Sequence, residues 1–336
     1  MNLYPKTSAL MARGAEFLGC DHAILCGAMS WVSERNLVSA ISNAGGFGVI
    51  ACGAMTPELL DAEIAATGVL TAKPFGVNLI TMHPQLMELI EVCGRHRVGH
   101  VVLAGGIPPK GSVEAIKAFG AKVIVFAPTI ALAKKLLRSG GDALVIEGME
   151  AGGHIGPVAT GVLAQEFLPV LAEEHLVFVA GGIGRGEAIA AFLEMGAAGV
   201  QLGTAFACAT ESIAHPAFKA AFFRANARDA VASVQVDPRL PVIPVRALKN
   251  KGGELFTAKQ REVAAALDAG EVEMGEAQLQ IERFWAGALR RAVIDGDVEH
   301  GSLMAGQSVG MVTEEEPVAG IIARLMAESE AALARR

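Results

Sequence analysis

What most narrows the fold of this chain is a repeat: a short aliphatic run followed by a stretch of helix length, recurring through roughly the first two hundred residues. The runs fall at Ala23–Cys26, Gly48–Ala51, Phe75–Leu79, His100–Leu103, Lys122–Phe126, Ala143–Ile146, Val177–Ala180 and Gly199–Leu202. Most are continuous in Val, Ile, Leu or Ala instead of alternating with polar residues, so they read as strands buried on both faces. Between them, helices are expected at Glu34–Asn43, Pro57–Ala66, Pro84–His96, Gly111–Phe119, Ile130–Ser139, Leu163–Glu173 and Arg185–Met195. Thr56-Pro57 and His83-Pro84 place proline in a first helical turn, where its missing N–H costs nothing. Gly120, Gly140 and Gly196 fall where helices should end.

Strand and helix in alternation build a parallel sheet covered by helices, and eight such units suit a closed α/β fold, the (β/α)8 TIM barrel. An open doubly wound sheet is the competitor. It would gather ligand signals at one switch point, whereas here glycine-rich turns follow the first, sixth, seventh and eighth strands. Hydrophobic residues make up 52% of the chain and aromatics 5%, so the core must be aliphatic. The expected organisation is a barrel over 1–213, a smaller and mainly helical insertion on the substrate side over 214–300, and a segment returning to the barrel over 301–336. Within the insertion, Phe256–Leu267 and Ala277–Val293 read as helices, joined through the proline-rich piece Asp237–Val245. The chain then returns through Gly301–Met311 and closes with a surface helix, Pro317–Arg336.

Charge and cysteine usage exclude some functions. A formal charge of −7 with no basic run argues against a nucleic-acid surface. No apolar run approaches the ~18 residues that span a bilayer, and the amino terminus lacks a signal pattern, so a cytoplasmic protein is expected. Cys20, Cys26, Cys52, Cys93 and Cys208 are scattered and form no CxxC pair, and no histidines stand at metal-ligand spacing. Free thiols in a reducing compartment and no metal site follow. Cys26, in the first strand, is either a buried apolar thiol or a cofactor neighbour.

Two constellations carry chemistry. Glu147-Gly148-Met149-Glu150-Ala151-Gly152-Gly153-His154-Ile155-Gly156-Pro157 follows the sixth strand, with one imidazole among four glycines. Glycine lets backbone approach a flat or anionic ligand closely, and His154 titrates near neutrality, so this is a binding loop with one proton-transfer group. Glu147 and Glu150 flank it as surface or capping carboxylates or as ligand contacts. Ala180-Gly181-Gly182-Ile183-Gly184 follows the seventh strand and Gly203-Thr204 the eighth, the two barrel positions where backbone N–H groups commonly hold a phosphate.

With these motifs in order, the chain resembles the nitronate monooxygenase (2-nitropropane dioxygenase) and enoyl-ACP reductase II superfamily. Ala180–Ile183 with Gly199–Thr204 is similar to its flavin-phosphate signature, and Glu147–Gly156 to its histidine loop. Lys73–Asn78 resembles its third-strand motif, Gly27-Ala28-Met29 with Asn43–Gly48 its first βα unit, and Gly301–Gln307 a carboxy-terminal segment. The resemblance implies an FMN-dependent oxidoreductase. Gly181, Gly182, Gly203 and Thr204 would hold the FMN phosphate, and Ala28, Met29 and Asn78 would line the isoalloxazine. Ala151 and Gly152 would approach it through backbone, with Glu147 beside them and Gln201 orienting the strand beneath. His154 would be the catalytic residue.

Within the superfamily, Met29-Ser30-Trp31-Val32, isoleucine after His154 and Val245–Asn250 look more like the reductase, with hydride passing from NADH or NADPH through FMN to an enoyl thioester. Oxidation of alkyl nitronates with oxygen is the alternative; quinone reduction and non-catalytic flavin binding are lesser ones. An acyl-carrier protein is the partner implied by the reductase reading, docking on Lys134, Lys135 and Arg138 or on Arg246, Lys249 and Lys251, though such clusters at helical spacing are usually a solvated face. A monovalent cation activates some reductases of this type, with no site legible here, and a homodimer is carried as an expectation.

Overall fold

The structure is a computed structural model that describes residues 3–240 and 244–335. Pro241–Ile243, within the expected proline-rich piece, and Arg336 lie outside the described residues. Eight parallel strands run β1 (Ile24–Cys26), β2 (Gly48–Ala51), β3 (Phe75–Ile80), β4 (His100–Ala104), β5 (Lys122–Phe126), β6 (Ala143–Glu147), β8 (Leu176–Ala180) and β9 (Gly199–Leu202). Their spatial order is β1-β9-β8-β6-β5-β4-β3-β2. The ring is shut where Leu25 bridges Phe47: Cys26 N–H donates to Phe47 O and Phe47 N–H to Ile24 O, both at 2.9 Å. This is the expected (β/α)8 barrel. The strands are largely aliphatic, with Val77, Val101, Val123, Leu144, Val177 and Val200 fully buried, while Phe47 and His100 pack ring to ring and Phe17 of the amino-terminal segment packs against His100 and Phe178.

The covering helices are α2 (Arg35–Asn43), α3 (Pro57–Leu70), α4 (Leu86–Arg95), α5 (Ser112–Ala118), α6 (Ile130–Arg138), α7 (Thr160–Leu171) and α8 (Gly186–Glu194). Local chemistry sets their ends. The Thr56 hydroxyl accepts from Leu59 N–H ahead of Pro57, and Thr129 caps α6 through Leu132 N–H. Gly120, Gly140 and Gly196 take φ of 86°, 101° and 101°, the left-handed conformation of a helix stop. His83-Pro84 departs from expectation. The His83 ring accepts from Gln85 N–H at 3.1 Å and holds a turn, so α4 begins at Leu86, after the proline.

Further helices differ from the sequence reading. α1 (Pro5–Leu18) has no counterpart in the expected set; it lies under the amino-terminal end of the barrel. Phe17 O accepts from His100 Nε2 and from Lys122 Nζ, each at 2.8 Å, at the starts of β4 and β5. The closing helix, α13 (Val318–Ala334), is not a surface helix. Val318, Ile321, Ile322, Leu325, Met326, Ala332 and Leu333 are buried where it packs against α8, α1 and α2.

Between β9 and α13 the chain forms α9 (Thr204–Ala207), α10 (Pro216–Phe223), β10 (Ala230–Ala232), β11 (Val245–Leu248), α11 (Lys251–Asp268) and α12 (Met274–Val293). This excursion has its own small core of Leu240, Val245, Phe256, Val263, Ala277, Ile281 and Ala288. It is not only helical: β10 and β11 form an antiparallel sheet completed by β7 (Gly153–His154) from the histidine loop. Among the described residues no helix is long and apolar enough to cross a membrane.

Candidate active site

Parallel strands put all their carboxyl ends at one rim, so the residues singled out by the sequence converge there. Glu147 ends β6, Gly181 follows β8, Gly203 follows β9, and Gly27 N–H donates to Leu202 O at 2.7 Å, tying the end of β1 to that of β9. Met29 lies over the β9 turn, its Sδ 3.4 Å from where a Cβ on Gly203 would stand. Gln201 is 8% exposed, with Nε2 3.7 Å from the corresponding point on Gly27. Asn78, 4% exposed in β3, donates through Nδ2 to Val102 O at 3.2 Å.

The two glycine turns differ. Gly181 and Gly182 have φ of 103° and 71°, a conformation that disfavours any side chain. A Cβ on Gly181 would stand 2.9 Å from Thr160 Oγ1, and one on Gly182 would stand 2.8 Å from Glu150 Cβ. The β8 turn is therefore pressed onto the histidine loop. Gly203 keeps an ordinary φ of −123° and caps α9, with only Met29 near it. Thr204 is 9% exposed; its hydroxyl accepts from Gly306 N–H at 3.0 Å, leaving its proton for a ligand. Gly152 is packed against the returning segment, where a Cβ would meet Gly306 N at 2.6 Å.

Glu150 and Glu147 take separate roles. The Glu150 carboxylate accepts from both the N–H and the hydroxyl of Thr160, so it caps α7. The Glu147 carboxyl has no hydrogen bond or ion pair to another described residue, and burial pushes its pKa up to about 8. At neutral pH it is mainly the neutral acid and can donate a proton in a hydrogen bond. His154 is exposed, and Ala151, 7% exposed, is turned inward. Cys26 is buried, its Sγ 3.2 Å from Gly27 O, and burial pushes the thiol up to about 12, which fits the apolar-thiol reading.

Three features were not legible in the sequence. Trp31, beside Ala28 and Met29, holds φ at 68°, where a bulky residue is strained. Its Nε1 is buried without a hydrogen-bond partner among the described residues, and the Arg290 guanidinium of α12 lies 5.8 Å from its ring centroid. Glu150 is the capping carboxylate that one of its expected readings named, but its partner Thr160, in another element, is marked by no local pattern. Arg246 is 4% exposed and so does not belong to an exposed docking cluster; Lys134, Lys135 and Arg138 on α6 are exposed.

Known proteins are similar to this chain in sequence and fold. The family model described as nitronate monooxygenase matches residues 12–96 and 85–328. A Mycobacterium tuberculosis protein named (3aS,4S,5R,7aS)-5-hydroxy-7a-methyl-1-oxo-octahydro-1H-indene-4-carboxyl-CoA dehydrogenase is 32% identical over 89% of this chain and 90% of its own. The nitronate monooxygenase of Pseudomonas aeruginosa is 33% identical over 62% of this chain and 72% of its own. The structure of FabK from Thermotoga maritima superposes with a TM-score of 0.83 at 35% identity, covering 96% of this chain and 97% of that one. Fold, site and relatives define a (β/α)8-barrel oxidoreductase. The chain belongs to the nitronate monooxygenase family.

Proposed function

We propose that the protein is an FMN-dependent NAD(P)H oxidoreductase acting on an acyl thioester, with reduction of an enoyl thioester as its reaction. The observation that carries the substrate class is near full-length similarity to a carboxyl-CoA dehydrogenase, supported by the likeness to FabK over almost the whole fold.

The residues present fit FMN. Two turns on adjacent strands offer backbone N–H groups at one rim. A Cβ at Gly203 would meet only Met29 Sδ, at 3.4 Å, and the Thr204 hydroxyl keeps its proton. In this reading Gly181, Gly182, Gly203 and Thr204 would hold the phosphate through backbone N–H groups and the Thr204 hydroxyl. Ala28, Met29, Asn78, Gln201, Ala151 and Gly152 would border the ring system, and Glu147, held as the neutral acid, would supply a hydrogen-bond donor beside it. Bound FMN would supply a two-electron carrier between nicotinamide and substrate.

His154 supplies the proton. An imidazole can both take and give a proton, and the exposure of His154 at the rim puts it within reach of a substrate entering from solvent. After hydride addition to a C=C bond conjugated with a thioester carbonyl, the carbon beside the carbonyl requires one proton, and His154 delivers it. The family match favours a second reading, nitronate oxidation, in which the same imidazole takes the acidic proton of a nitroalkane.

Anaerobic stopped-flow spectroscopy of the flavin-loaded protein separates the two readings. Bleaching by NADH or NADPH, then recolouring by an enoyl-CoA, is expected. Bleaching by a nitronate with no response to either nicotinamide would overturn the thioester reading in favour of the second.

A further inference from the structure

The loop carrying His154 is braced by a buried charge. Arg246, on β11, donates through Nε to Met149 O at 2.8 Å and through Nη1 to Ala230 O at 2.6 Å. One planar group thus spans the histidine loop and β10. The backbone fixes the same register: Val245 faces His154, Arg246 faces Gly153, and Ile155 N–H donates to Pro244 O at 2.9 Å. Gly153 takes φ of 78°, the left-handed region that favours glycine, and a Cβ there would meet Met304 Sδ at 3.6 Å.

Burying a guanidinium is costly. Burial pulls the Arg246 pKa down, the field of Glu150 opposes that, and no carboxylate is hydrogen-bonded to it among the described residues. An apolar side chain would fill the position at lower cost but could not satisfy two carbonyls at a fixed separation. Lysine could reach one of them; only the fork of arginine reaches both in a set plane.

We propose that Arg246 is a positioning residue for His154, acting through the Met149 carbonyl and the pairing of β7 with β11. The excursion after β9 thereby becomes part of the catalytic apparatus instead of a cover over it. This rests on the reading of His154 as the proton-transfer group.

The test compares flavin-loaded wild type, Arg246→Lys and Arg246→Met by two measurements. Amide hydrogen exchange across residues 149–155 is expected to quicken at least tenfold in the methionine variant and by an intermediate factor in the lysine variant. The rate of flavin reoxidation by enoyl-CoA, per bound flavin, is expected to fall at least tenfold in Arg246→Met. That loss should shrink to less than twofold when His154→Ala is already present, because the placement of an absent imidazole is immaterial. Losses that add in the double variant, or exchange that stays at the wild-type rate, would overturn the proposal. If the methionine variant does not fold, the lysine variant carries both measurements. If wild-type flavin does not respond to any thioester, the functional reading fails, and the exchange measurement alone still decides whether Arg246 braces the loop.

Discussion

Thr160 and Glu150 lock the histidine loop onto the start of α7: the Thr160 N–H and hydroxyl both lie 2.8 Å from Glu150 Oε2. The same hydroxyl lies 3.1 Å from Gly181 O, so one side chain links the histidine loop, α7 and the β8 turn. Thr160→Val keeps the shape and removes the hydroxyl. It is expected to destabilise the fold by about 1–3 kcal/mol, the usual cost of leaving buried polar groups unsatisfied. Flavin binding should weaken with it, because the β8 turn loses its tether. Urea denaturation and flavin titration check this; an unchanged midpoint would show the hydroxyl to be dispensable.

Alanine at the two glycine turns should give different outcomes. At Gly182 it meets both a φ of 71° and Glu150 Cβ at 2.8 Å, so Gly182→Ala should lose about 1–2 kcal/mol of stability from the left-handed backbone alone, and flavin with it. At Gly203 the nearest atom is Met29 Sδ at 3.4 Å, an ordinary contact, and φ is unstrained. Gly203→Ala should therefore melt like wild type without flavin yet fail to retain the cofactor. Full flavin loading in that variant would remove the phosphate from this turn.

His154→Ala is expected to purify yellow, since the proposed phosphate site lies on the β8 and β9 turns and not on the histidine side chain. Its turnover of a substrate that requires a proton should drop by about 10²–10⁴, the span of general acid–base catalysis. Steady-state assays normalised to bound flavin measure this. Turnover within twofold of wild type would make the imidazole structural.

Glu147 gives a pH signature. Its folded-state value of about 8 stands above the ordinary carboxyl value of 4.5, so the folded protein holds this proton more tightly than the unfolded chain. Stability from this group is therefore fully present below pH 4.5 and lost as pH rises towards 8. Glu147→Gln keeps a neutral, hydrogen-bonding side chain at every pH. In the flavin-free protein it should match wild type near pH 5 and be the more stable of the two above pH 8. Parallel melting curves across that range would contradict the raised value.

The barrel was legible because its strands are contiguous aliphatic runs, and Gly48–Ala51, Lys122–Phe126 and Gly199–Leu202 match the structure residue for residue. α1 was not, because small residues such as Gly14 and Ala15 stand where a helix would ordinarily show a large apolar stripe, and Gly14 is needed to approach Ala198 O. The strands around Gly153, Val231 and Arg246 were hidden for another reason. Each is too short to carry a period, and each is held by pairing with residues remote in sequence. The same holds at the site. Glycines announce themselves locally, whereas the Arg246 bond to Met149 and the Glu150 cap on Thr160 exist only once the chain is folded.

α13 buttresses α8, and α8 springs from the turn that contains Gly181 and Gly182. Gly186 N–H is tied to Glu328 at 2.8 Å, and a Cβ on Gly186 would meet Leu325 O at 2.2 Å, so that seam is tight. During translation this turn is made long before residues 318–334, so the seam that steadies it is completed last. On the proposed reading of the turn as a phosphate site, a nonsense lesion removing only this tail is expected to impair flavin retention while leaving both glycine turns and the histidine loop in the chain.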